Sequence, residues 1–128
     1  MSQPSIYDMM KDHKNRMEFR ILKVLRVVDG DTVDCHIDLG FDLFIKRRVR
    51  LFGINAPESR TLDLEEKRRG LAAKARLTTM LEEGDLGLVS LKKGKFGRTV
   101  GLIVQNGDYL ASINQQLVDE GHAAIKIY

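Results

Sequence analysis

Hydrophobic and polar positions alternate, or recur at helical spacing, along most of the chain. From Phe19 to Val28 the residues are strand formers, and the run stops at Asp29-Gly30, a hairpin signal between strand-like segments. The return segment, Asp31 to Asp38, places Asp31, Val33, Cys35 and Ile37 on one face and Thr32, Asp34, His36 and Asp38 on the other. Gly40 marks the next turn, and Leu43, Ile45, Val49 and Leu51 are expected on the core face of a third strand. Residues 53–63, with Gly53, Pro57 and several polar groups, read as a loop. A helix is expected next: Asp63 is its N-cap with Glu66 three residues on, Ala73, Leu77, Met80 and Leu81 form its apolar stripe, and Gly84 is its stop. Strands near 86–92 and 99–105, a turn at Asn106-Gly107, and a helix from Ser112 to Gly121 complete the pattern. In that helix Ser112 and Gln115 look like a second capping box, and Ile113 and Leu117 supply the buried face. The order is three strands, helix, two strands, helix. Ahead of it, residues 1–18 form an extension in which Ile6, Met9, Met10, His13 and Met17 suit either a short amphipathic helix or a frayed tail. Residues 19–128 read as one domain.

Composition narrows the class. The chain has 128 residues, 43% hydrophobic and 30% charged, enough for a core without staples. Cys35 is the single cysteine, so no intrachain disulfide can form, and it reads as a core residue. No apolar run reaches membrane-spanning length, and Met1 to Ser5 lack the basic flank of a signal peptide, so an intracellular setting without a membrane partner is expected. Lys and Arg number 21 against 18 Asp and Glu, a net charge of +3 that permits a polyanionic partner. The positives are grouped as Lys46, Arg47, Arg48 and Arg50; Lys67, Arg68 and Arg69; and Lys92, Lys93, Lys95 and Arg98. Asp31 is the most informative single position. An acid at the mouth of an apolar strand face needs a partner or a metal. His36 and His122 lack metal-ligand spacing to another His or to Cys and read as surface or packing residues.

Three ordered motifs carry a resemblance. Val27-Val28-Asp29-Gly30-Asp31-Thr32-Val33, Arg50-Leu51-Phe52-Gly53-Ile54-Asn55-Ala56-Pro57-Glu58 and Lys95-Phe96-Gly97-Arg98 resemble the signatures of the staphylococcal nuclease (thermonuclease) family, and Asn114 to Gly121 resembles its helix after the last barrel strand. Order and spacing agree over about residues 20–127. The resemblance implies an α+β, mainly β fold: a five-stranded OB-like β-barrel with two or three packed helices. It implies calcium-dependent (or other divalent-cation-dependent) hydrolysis of phosphodiesters in DNA or RNA by a monomer, with little sequence specificity. It further implies that Asp31, Asn55 and the Ala56 carbonyl hold the metal, that Arg50 and Arg98 contact the phosphate, and that Glu58 acts on the attacking water. Lys95 and Phe96 would bind substrate. The chemistry is coherent: a phosphodiester anion repels hydroxide, a hard cation with oxygen ligands neutralises it, and guanidinium forks match phosphate oxygens.

Taken singly, each residue has a plainer reading. Asp29 and Gly30 suit a turn, Arg50 has the parity of an outer-face arginine, and Glu58 and Arg98 suit exposed loops. The chain also departs from the family pattern. Asn55 stands where catalytic members carry an aspartate ligand, which removes one negative charge from the metal site; Phe96 and Ile127 replace tyrosines. A nuclease-like domain that binds nucleic acid without cutting it is the alternative that Asn55 favours; a protein-interaction module is a second rival.

Overall fold

The computed structural model describes residues 4–13, 16–93 and 98–127. Its elements are α1 (Ile6–Met10), β1 (Met17–Asp29), β2 (Thr32–Gly40), β3 (Leu43–Leu51), β4 (Ile54–Asn55), α2 (Leu64–Met80), β5 (Leu86–Lys93), β6 (Thr99–Gln105), α3 (Ile113–Asp119) and β7 (Ala124–Ile125). Five strands close a barrel in the order β1-β2-β3-β6-β5, while β4 and β7 form a small separate ladder. The β3–β6 seam is parallel, as a parallel pair joined through the intervening α2 and β5 can be, and the other barrel seams are antiparallel. Register shifts along β1 at Ile21/Lys23, Val24/Arg26 and Val27/Asp29 bend this long strand so that it pairs with β2 from Arg20 onward and with β5 from Met17 to Arg20.

The alternation along β2 is realised: Val33, Cys35 and Ile37 are buried, facing Val49 and Leu51 of β3 in one core with Leu88, Leu102, Ile103 and α2's Leu77 and Met80. Burial pushes the Cys35 thiol up to about 12, so it stays a neutral core group. Leu43 departs from its expected core position and is 60% exposed. β3 is paired with β6 only from Val49 to Leu51, so the β2–β3 hairpin runs out beyond the barrel and Leu43 has no core to face. The expected loop at 53–63 also contains the short strand β4, whose Ile54 and Asn55 pair with Ile125 and Ala124.

Helices α2 and α3 start as their caps predict, with the same correction at each. Asp63 accepts from the N–H groups of Glu65 and Glu66, and Ser112 from that of Gln115. Neither N3 side chain returns to its cap, however. Glu66 accepts from the Glu58 N–H at 3.2 Å, and Gln115 accepts from the Ile6 N–H at 2.9 Å. Each tertiary bond satisfies a donor elsewhere in the fold. Helix α1 has the full box, Ser5 with Asp8, and its Ile6 and Met10 are buried in the common core. Asn114, wholly buried on α3, donates to the Phe52 and Gly101 carbonyls and accepts from the Ile103 N–H, tying the β3–β6 seam to the helix. No helix among the described residues is long and apolar enough to cross a membrane.

Candidate functional site

The site forms where the β1–β2 turn, the end of β3 and the segment after β4 meet. Gly30 makes this approach possible. A Cβ there would lie 2.7 Å from the Ala73 Cβ of α2 and 3.0 Å from that of Ala56. Asp31, the next residue, is buried, and the Leu51 N–H donates to its carbonyl at 2.8 Å. Its carboxylate accepts from the Ala56 N–H at 2.8 Å on Oδ2 and from Thr32 Oγ1 at 2.9 Å on Oδ1. The acid at the mouth of the apolar face thus has its partners, as burial requires.

Arg50 supplies the countercharge. Its Nη2 lies 3.4 Å from Asp31 Oδ2 and donates to Asn55 Oδ1 at 2.6 Å, while Nη1 donates to the Leu51 carbonyl at 3.1 Å. The Arg50 and Asp31 side chains are only 15% and 12% exposed. Parity puts Arg50 on the outer face of the sheet, opposite Thr32, but the segment at Asn55 folds over that face and half-buries it. Several acceptors thus fix this guanidinium in one orientation at the edge of solvent.

Glu58 is exposed at the rim, its backbone anchored by Glu66. The following Ser59 is buried and donates to Asp29 Oδ1 from both its N–H and its hydroxyl, so Asp29 ties the β1–β2 turn to the Glu58 segment. Arg98 is half-buried and directly precedes β6, whose Thr99 pairs with Val49, so its backbone adjoins the strand that carries Arg50. Lys95 and Phe96 lie outside the described residues. The structure therefore brings Asp31, Arg50, Asn55 and Ala56 into one hydrogen-bonded set, with Glu58 in the adjoining segment. A 360 Å³ cavity borders that set, lined by Asn55, Ala56, Pro57, Glu66, Arg69 and His122 among others. A larger one, 510 Å³, lies at the other end of β1 beside Glu18 and Tyr109, away from these groups.

The sequence reading gave no role to Ser59 or Gly70. A Cβ on Gly70, inside α2, would run into the Glu58 carbonyl and lie 2.7 Å from the Ser59 nitrogen, so the bare glycine lets the helix press against the Glu58 segment. A glycine within an otherwise strong helical run was the available signal.

Asp31, Asn55 and the Ala56 carbonyl offer oxygen donors of the kind a hard cation takes. They bring a single carboxylate, and among the described residues no group of three acidic, His or Cys side chains surrounds a common point. In kind the donors fit calcium; in charge they are poor, and Arg50 already occupies the space between the Asp31 and Asn55 oxygens.

These features are those of a nuclease-type domain on a small barrel. The family described as staphylococcal nuclease homologue matches residues 48–128, and the chain belongs to it. The chain is also 31% identical over 108 residues to Protein ParB of Escherichia coli, a match covering 79% of this chain and 54% of that protein. It thus spans about half the length of the curated relative it matches.

Proposed function

We propose that the protein hydrolyses phosphodiester bonds in DNA or RNA, with a divalent cation, at the set formed by Asp31, Arg50, Asn55, Ala56 and Glu58. The observation that carries this reading is the Arg50 guanidinium, held between Asp31 and Asn55 at a half-open rim. Asp31, the Asn55 amide oxygen and the Ala56 carbonyl would hold calcium, which when bound supplies charge neutralisation of the phosphate. Arg50 binds a non-bridging phosphate oxygen and stabilises the charge that builds on it. On binding, the guanidinium exchanges its Asn55 contact for the phosphate, which frees the Asn55 oxygen for the metal. Arg98 supports the same charge. Glu58, exposed in the segment that follows Asn55 and Ala56, takes a proton from the attacking water or orients it.

Asn55 sets the tempo. With one carboxylate in place of two, metal binding is weaker and cleavage slower than a fully acidic site would give. The same feature favours the alternative of a domain that binds nucleic acid without cutting it. Incubation of the protein with single-stranded DNA and RNA, in calcium, magnesium, manganese or chelator, separates the two. Slow, metal-dependent cleavage that disappears in Glu58→Gln is expected. Firm binding with no cleavage in any metal leaves only the binding role.

A further inference from the structure

We propose that the outer face of the β1–β2–β3 arm is a track for single-stranded nucleic acid, with phosphates on its basic rows and bases on Phe44 and Phe41 at its tip. This rests on the reading of the Arg50 site as a phosphodiester site, and extends it to the part of the substrate that is not being cut.

The register defines the face. Val27–Val33–Val49, Val24–Cys35–Arg47 and Ile21–Ile37–Ile45 are rows on the inward face, so the pairs that alternate with them point outward. From the site toward the tip, the outward pairs of β2 and β3 are Thr32 with Arg50, Asp34 with Arg48, His36 with Lys46, and Asp38 with Phe44. Strand β1 adds Arg26 beside Asp34, Lys23 beside His36 and Arg20 beside Asp38. Arg50, at the covered end, thus begins a row that continues in the open as Arg48, Lys46 and Phe44. Side chains two apart on a strand are separated by about 7 Å, of the order of neighbouring phosphates on an extended strand.

The acids on this face are engaged locally. Asp34 accepts a fork from Arg48 at 2.8 and 3.1 Å, and Asp38 accepts from the Gly40 N–H at 2.8 Å. Arg20, Lys23, Arg26 and Lys46 remain as exposed positives.

The tip is apolar and costly to the free protein. Phe44 is 59% exposed and Phe41 is 99% exposed. Phe41 and Asp42 form the two-residue turn with φ of 54° and 62°, a conformation for which Asn-Gly or Asp-Gly is favoured. A phenylalanine held in the left-handed region, fully in water, gains nothing from the core, and such an outlier points to function. Basic rows leading to exposed rings match the requirements of a single strand, whose bases can stack, rather than a duplex, whose bases are already paired. Pairing of the free β3 edge with a second copy is disfavoured, because it would set Lys46 and Arg48 against their like.

The test uses the full chain and two double variants, Phe41→Ser/Phe44→Ser and Lys23→Gln/Lys46→Gln, all at surface positions, with folding checked by thermal melting. Binding of a fluorescent single-stranded oligonucleotide of roughly 12 nucleotides, within the range one such barrel spans, is measured in chelator. Hydrolysis of a dinucleotide in calcium reports on the site alone. Each double variant should lose about tenfold or more in oligonucleotide affinity while dinucleotide hydrolysis stays unchanged. The lysine variant should also reduce the log–log salt slope by about 1.4, two phosphate contacts on a single strand. Unchanged oligonucleotide affinity in both folded variants overturns the track and leaves the site reading intact. A phenylalanine variant that shifts sedimentation but not oligonucleotide affinity also overturns it, showing a face that pairs copies. Absence of dinucleotide hydrolysis in the wild type, with oligonucleotide binding still lost in the variants, overturns the site reading and supports the track.

Discussion

Arg50 donates from Nη2 to the Asn55 side-chain oxygen at 2.6 Å, closer than its 3.4 Å approach to the Asp31 carboxylate. The neutral amide is therefore the nearer partner of the site's guanidinium, and the charged one stands behind it. This arrangement balances one positive group against one negative group before any ligand arrives.

Replacing that amide should change the site in a defined direction. Asn55→Asp restores a second carboxylate, and ligand charge count tunes calcium affinity over decades. Calcium affinity should rise at least about tenfold, roughly 1.4 kcal/mol, with faster cleavage at limiting metal. Stability without metal should change little, because Arg50 lies between the two acids. Calorimetric titration with calcium checks this; an unchanged affinity means that position 55 is not at the metal.

Gly70→Ala tests whether helix α2 positions Glu58. In an exposed helix interior this change stabilises by roughly 1 kcal/mol. Here the added Cβ meets the Glu58 carbonyl and the Ser59 nitrogen, backbone atoms that cannot swing aside. Overpacking of this kind costs about 1–3 kcal/mol, so a net loss of stability is expected in denaturant melts. The cleavage rate should fall more than substrate affinity, since Arg50 is held by other elements. A gain in stability would show that the segment gives way freely.

The Arg48 guanidinium beside Asp34 holds its carboxyl below the usual carboxylate range. A depressed carboxylate contributes stability that is present above its ordinary value, near about pH 4, and is lost as pH falls through the lower folded value. With Arg48 48% exposed, solvent screening limits the contribution to under about 1 kcal/mol. Asp34→Asn should lower stability slightly at neutral pH and flatten the acid limb of the stability curve. Identical acid limbs for wild type and variant would remove the ion pair from the account.

Much of this molecule was legible from periodicity. Two-residue alternation placed Val33, Cys35 and Ile37 inside, helical spacing placed Ala73, Leu77, Met80 and Leu81, and short-range cap chemistry located Asp63 and Ser112. Leu43 was misplaced because alternation gives the side of a strand but not how far the barrel behind it extends. The returning halves of the capping boxes were misplaced because Glu66 and Gln115 found partners 8 and 109 residues away.

The sequence by itself determined the five barrel strands and the two longer helices, since these depend on neighbours within a few positions. Only the tertiary structure decided that Arg50, outward by parity, is roofed by Asn55; that Asp29 ties down Ser59; that Gly70 lets α2 reach the Glu58 backbone; and that the β2–β3 hairpin leaves Phe44 and Lys46 in the open. Each of these depends on which distant segments share a seam and where a seam ends, and closure of the barrel sets both at once.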